Sequence, residues 1–215
     1  MKGITKPIKP LLFLIALLPA AWLLFAALTG GLGANPIEAI TRSLGDWALR
    51  LLLITLAVTP LKRLTGWGWL LRYRRMLGLY AFFYATLHLL SYLVLDQFFY
   101  WPEIGADMLK RPYITVGMVS FLLLIPLAVT STHGWMRRLG RRWQQLHRLV
   151  YLCAIGAVVH FYMLVKADNR EPLLYAGILA LLLLARVRRR PAQASDSASP
   201  KKRANCMNSP RSNPS

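Results

Sequence analysis

Long charge-free stretches constrain this chain more than any other feature. Residues 10–37, 76–95, 112–136 and 149–165 contain no Asp, Glu, Lys or Arg, and neither does the shorter run 172–185. Residues 47–61 carry only Arg50, and Asp46 stands one helical turn before it, placed to pair with it near a membrane face. A helix that crosses a membrane needs ~20 predominantly apolar residues. These runs therefore predict an all-α membrane protein with six transmembrane helices. The last is short, and Arg186 and Arg188 complete it by snorkelling to the interface. Composition points the same way: 56% of the 215 residues are hydrophobic and only 16% charged, too few to coat a soluble globule. A soluble enzyme is excluded. The first run follows Lys2, Lys6 and Lys9 as a signal peptide would, but it exceeds the ~7–15 residues of a signal core and no small-x-small site follows. It reads as a retained helix.

Charge sets the orientation. There are 27 Lys and Arg against 8 Asp and Glu, a net charge of +19. In a soluble protein that excess would suggest nucleic acid. Here the basic residues lie between apolar runs, so no nucleic-acid partner is expected. One set of connections holds Lys2, Lys6 and Lys9, then Lys62, Arg63, Arg72, Arg74 and Arg75, then Arg137, Arg138, Arg141, Arg142 and Arg148, then the basic C-terminal end. The alternate connections hold Arg42, Lys110, Arg111, Lys166 and Arg170, with Glu38, Asp96, Glu103, Asp107, Asp168 and Glu171. The positive-inside rule then places both termini in the cytoplasm. Residues 1–190 form the membrane domain. Residues 191–215 turn to Pro, Ala, Ser, Asn and Lys and read as a disordered basic cytoplasmic tail that meets anionic lipid head groups. Cys153 lies in an apolar run and Cys206 in the tail, so neither invites a disulfide.

Four histidines carry the chemistry worth weighing: His88, His133, His147 and His160. Ionisable residues inside a membrane are costly, which makes each a functional candidate. Counted from the cytoplasmic starts of spans three and five, His88 and His160 lie ~18 and ~16 Å into the bilayer. Two level imidazoles on parallel-running helices suit the two faces of a haem iron. Gly156, one turn before His160, and Ala85, three residues before His88, leave room for a flat macrocycle. The other reading is a pair of core histidines bonded to backbone or serine. His147 opens span five at the cytoplasmic face, about 140° around the helix from His160. It serves a second haem with a weaker partner, a flavin or a quinone, or is an interfacial histidine. His133, in Thr130-Ser131-Thr132-His133-Gly134, reads as structural or solvent-facing. No P-loop, Gly-x-Gly-x-x-Gly or Cys-x-x-Cys occurs, so nothing within the chain binds NAD(P)H or an iron–sulfur cluster.

Four segments carry a resemblance: Gly30-Gly31-Leu32-Gly33-Ala34-Asn35-Pro36, Arg74-Arg75-Met76-Leu77-Gly78-Leu79, Ala85-Thr86-Leu87-His88-Leu89-Leu90-Ser91-Tyr92, and Leu139-Gly140-Arg141-Arg142-Trp143-Gln144-Gln145-Leu146-His147-Arg148-Leu149-Val150-Tyr151-Leu152. With them the chain resembles the MsrQ (formerly YedZ) family, haem-binding membrane subunits of bacterial periplasmic protein-methionine-sulfoxide reductase systems, within the wider ferric reductase-like transmembrane group. The resemblance implies a multi-pass protein of the bacterial inner membrane. It implies an electron-transfer subunit, not the catalytic one, that carries haem b and FMN and forms a heterodimer with a periplasmic molybdopterin-containing reductase. The quinone pool is the implied donor, with a cytoplasmic flavin reductase as its competitor. His88, His147 and His160 match the family's motif histidines, and His133 falls outside them. The chain lacks the fused flavin/NADPH domain and the fourteen-residue histidine spacing of the related oxidases and ferric reductases. Residues 30–43 and 96–111 are the expected docking segments for the periplasmic partner. The other functions open to such a chain are a stand-alone ferric or quinone reductase and a small proton-coupled transporter with a histidine relay.

Overall fold

The computed structural model describes residues 8–165 and 169–187. Among them the chain is helical, with no strand. The first helix, α1, spans Ile8–Leu28 and α2 spans Pro36–Thr65. A short 3-10 turn, Gly68–Arg72, leads into α3, Arg74–Leu90, which continues as a π-helical turn over Ser91–Asp96. Then come α4 (Trp101–Lys110), α5 (Pro112–Val129), α6 (His133–Leu139), α7 (Arg141–Leu146), α8 (Leu149–Leu164) and α9 (Arg170–Val187). Among the described residues, five stretches are long and apolar enough to cross a membrane: Lys9–Leu28, Pro36–Thr65, Arg74–Asp96, Pro112–Val129 and Arg141–Leu164. The sixth expected span corresponds to α9, which has 18 residues but carries Arg170, Glu171 and Arg186. The expected tail and residues 166–168 lie outside the described residues.

Local chemistry explains where the helices start and stop. Asn35 caps α2: its side-chain oxygen accepts from the Glu38 N–H at 3.4 Å while its amide donates to the Glu38 carboxylate at 2.9 Å. Pro36 then occupies the first turn, where its missing N–H costs nothing. Residues 36–43, expected in a loop, are thus helix. At the other end Gly66 takes φ 74°, and its N–H closes on the Lys62 carbonyl. The charge-free run 112–136 does not stay helical. After Val129 the hydroxyls of Thr130 and Ser131 turn back onto the carbonyls of Pro126 and Leu127, both at 2.6 Å, and Thr132 caps a new helix.

The bundle is built on two long antiparallel pairings, α2 with α3 and α5 with α8; α3 also touches α5, and α9 packs on both α8 and α2. Helix α1 lies outside, exposing Leu14, Leu18, Trp22 and Phe25. Its tie to the bundle is specific. Pro19 interrupts its hydrogen-bond ladder, and the fully buried Tyr84 hydroxyl enters there, donating to the Ala16 carbonyl at 2.7 Å and accepting from the Ala20 N–H at 3.1 Å. Asp46 and Arg50 pair as expected, at 3.9 Å, and Arg50 also donates to the Tyr175 hydroxyl at 2.8 Å, linking α2 to α9.

Candidate functional site

A cavity of about 300 Å³ lies between α2, α3, α5 and α8. His88 and His160 both line it, with their ring centres 6.1 Å apart and their planes at 77°. The antiparallel packing produces this. The beginning of α2 lies against the end of α3, and the beginning of α5 against the end of α8, so residues from four helices meet at one level.

Each histidine is held by the same device. Nδ1 of His88 lies 2.8 Å from the Thr41 carbonyl, and Nδ1 of His160 lies 2.7 Å from the Tyr113 carbonyl. A carbonyl only accepts, so Nδ1 carries the proton in both rings and Nε2 keeps its lone pair. Four residues beyond each carbonyl stands a glycine. A Cβ on Gly45 would come within 3.0 Å of the His88 ring, and one on Gly117 within 2.8 Å of the His160 ring. An imidazole reaches a carbonyl already engaged in a helix ladder because the residue one turn on has no side chain.

The segment after His88 is also tied. Ser91 donates to the His88 carbonyl at 2.8 Å and receives a hydrogen bond from Thr41 at 3.0 Å. From Ser91 the helix widens to π geometry, and Tyr92 and Asp96 of that turn line the cavity. Arg42 and Arg111 line it as well. Arg111 pairs with the buried Asp107 at 3.4 Å, which also accepts from Gln97 at 3.2 Å.

The donor set limits what this site holds. Metal–imidazole bonds of about 2 Å, with ~1.2 Å from ring nitrogen to ring centre, separate two imidazoles on opposite sides of one ion by about 6.4 Å. The observed 6.1 Å fits. Among the described residues no group of three or more His, Cys, Asp or Glu is placed to hold a metal ion. A metal between these two rings must bring its remaining ligands with it, as a macrocycle does. Ala85 lines the cavity as expected. Gly156 does not open onto it in the expected way: a Cβ there would collide with the Ser120 hydroxyl of α5, so this glycine serves the close approach of α5 and α8.

The other two histidines stand apart. His147 is not among the residues lining the cavity. Its ring stacks on Trp143 at 3.9 Å and its Nδ1 lies 3.1 Å from the Trp143 carbonyl. His133 is exposed, with Nε2 3.1 Å from an Arg75 guanidinium nitrogen. Sequence reasoning found the two facing histidines but not Thr41, Gly45, Tyr113 and Gly117. The usable signal was a lone glycine inside each of two apolar helices.

Residues 44–158 match the family described as ferric reductase like transmembrane component. That match contains His88 and His147 and stops just short of His160. Among curated relatives, the protein-methionine-sulfoxide reductase heme-binding subunit MsrQ of Rhodospirillum rubrum is 59% identical over 176 residues, 81% of this chain and 85% of that protein. The protein of the same name from Xanthomonas axonopodis pv. citri is 56% identical over 185 residues, 83% of this chain and 85% of its own. A third, from Xanthomonas campestris pv. campestris, is 62% identical over 159 residues, 74% of this chain and 73% of its own. With most of both chains aligned at such identity, and with two imidazoles facing each other inside a helical bundle, the chain belongs to the MsrQ family of the ferric reductase-like transmembrane proteins.

Proposed function

We propose that this chain is the haem-binding, electron-transferring membrane subunit of a protein-methionine-sulfoxide reductase system. The observation that carries the reading is the pair His88 and His160, with ring centres 6.1 Å apart and both Nδ1 atoms bonded to backbone carbonyls. His88 and His160 hold a b-type haem through Nε2. Their carbonyl partners fix ring orientation and raise ligand basicity. Arg42 and Arg111, which line the same cavity, are the cations available to the two propionates. Bound there, haem supplies a carrier of single electrons. The surrounding Leu49, Leu52, Phe121 and Leu124 exclude water and lower the local dielectric, which sets the potential of the site.

Reduction of one methionine sulfoxide takes two electrons and two protons and releases one water. The relatives' name assigns that chemistry to the reductase of which they are a subunit. By resemblance the catalytic partner is a periplasmic molybdopterin protein, the donor is the quinone pool or a cytoplasmic flavin reductase, and FMN is a further cofactor. The partner docks on the acidic end of the bundle, on residues 30–43 and 96–111, from which Thr41, Arg42, Asp96 and Arg111 line the cavity. With α9 as the sixth crossing, both termini lie in the cytoplasm of a bacterial cell and the haem sits in the periplasmic half of the inner membrane.

The test is the absorption spectrum of the purified full chain. A reduced low-spin b-type spectrum that is lost in both His88→Ala and His160→Ala supports the assignment. A properly folded chain without that spectrum overturns it in favour of a transporter. Reduction of ferric chelates by the chain with no periplasmic partner present would favour the stand-alone reductase.

A further inference from the structure

At the end of the bundle where α3 begins and α9 finishes, arginines gather with no carboxylate ion-paired to them among the described residues. Arg186 donates through one Nη to the Leu56 carbonyl at 2.8 Å. That carbonyl is available because its helical partner would be Pro60, which has no N–H. The other Nη donates to the Tyr151 hydroxyl, and the guanidinium lies over the Tyr151 ring at 5.1 Å from its centre. Arg74 is close enough to interact electrostatically with both Arg186 and Tyr151. Arg75, next along α3, donates to the Ser131 carbonyl and faces His133.

Three observations point to an anionic ligand. Arg74 and Arg186 are partly buried like charges, and among the described residues neither is ion-paired with a carboxylate. The described residues around it offer no acid in sequence: residues 47–95, 108–165 and 172–187 contain no Asp or Glu. Finally, the buried side-chain polar atoms without a hydrogen-bond partner among the described residues are Thr59 Oγ1, Arg75 Nε and Arg186 Nε. All three belong to this end of the bundle and all three can donate. Guanidinium N–H groups match the oxygens of a phosphate better than any other common anion of a membrane surface.

We propose that this cluster, centred on Arg74 and Arg186, binds a phosphate group. Its source is an anionic phospholipid headgroup or a soluble phosphate. Leu152 and Ile155 of α8 and Leu184 of α9 are exposed beside it and offer a surface to acyl chains. The site is separate from the histidine pair, and the proposal stands whether or not that pair holds haem.

The experiment uses the full chain in nanodiscs of phosphatidylcholine, with and without phosphatidylglycerol, read by native mass spectrometry and thermal unfolding. Wild type should retain phosphatidylglycerol at least fivefold over phosphatidylcholine, and Arg74→Gln should lose most of that preference while unfolding at the wild-type temperature in neutral lipid. Arg186→Gln removes the Leu56 cap and is the less clean variant; Arg74→Gln therefore carries the test. Stabilisation by inorganic phosphate in neutral lipid, lost in Arg74→Gln, would support the same site with a soluble source. Equal retention of both lipids by wild type with no effect of phosphate would overturn the proposal.

Discussion

Gly117 stands so close to His160 that a Cβ on it would lie 2.8 Å from the ring's Nδ1. The same helix turn that supplies the glycine supplies the Tyr113 carbonyl that fixes the ring. Gly117→Ala must displace either the imidazole or helix α5, an overpacking that costs about 1–3 kcal/mol. The expected outcome is a roughly tenfold or greater fall in haem retained after purification, with the residual haem showing an altered low-spin spectrum. Gly45→Ala should act in the same direction on His88, where the approach is 3.0 Å. Wild-type haem content in both variants would show that the two glycines do not control ring position.

The four histidines should separate cleanly. His88→Ala and His160→Ala each remove one of the two rings lining the cavity, and the neighbouring Ala85 and Leu89 offer no replacement ligand. Each should give a five-coordinate or empty site. His133→Gln should leave the spectrum unchanged, since His133 is exposed and bonded to Arg75. His147 lies off the cavity with its ring stacked on Trp143. His147→Ala should therefore keep haem content while slowing reduction from the side of the basic loops. A fractional loss of haem in that variant would instead assign it to a second haem.

Tyr84 offers a stability test independent of cofactor. Its hydroxyl bridges Ala16 and Ala20 across the Pro19 interruption of α1, and the ring is fully buried. Tyr84→Phe keeps the packing and leaves a buried carbonyl and N–H without that partner, a loss of about 1–3 kcal/mol. A lower thermal midpoint is expected, with the absorption spectrum of the remaining folded protein unchanged. No change in the midpoint would mean that α1 closes its own ladder once the hydroxyl is gone.

Much of this was legible in the residues. The helices were readable because a charge-free run long enough to span lipid has few other uses. Errors fell where uncharged residues were not helical: Gly30, Gly31 and Gly33 extended the apparent first span, and Thr130 to Thr132 extended the fourth. The capping box of Asn35 and Glu38 was the signal for the early start of α2, and the charges on Glu38 and Arg42 masked it. His88 and His160 could be matched by depth, which depends on one helix at a time. Gly45 and Gly117 could not, since which glycine meets which ring is set by the register between helices. Gly156 and His160 do share a face, as their spacing requires, but that face meets Ser120 of α5 and not open space. The arginine cluster was visible only as a topology signal until Pro60 and Leu56 gave Arg186 a place in the packing.

Helix α9 is the element on which the orientation of the C-terminal residues turns. Its charges, Arg170 and Glu171 at one end and Arg186 at the other, flank an apolar stretch of residues 172–185. Arg186 directs its two Nη groups to Tyr151 and Leu56, inside the bundle, so it does not oppose insertion as a bare charge would. The Arg50–Tyr175 bond ties the first part of α9 to the middle of α2, and Arg186 ties its last turn to the Leu56 carbonyl, six residues on. Tyr175 and Arg186 are eleven residues apart, about 16 Å along α9, so the two ties hold most of this helix alongside α2. Reporter fusions after Asp168 should therefore behave as periplasmic and fusions after Arg190 as cytoplasmic. Fusions on the same side at both points would reduce the bundle to five crossings and place the C-terminal residues opposite the basic loops.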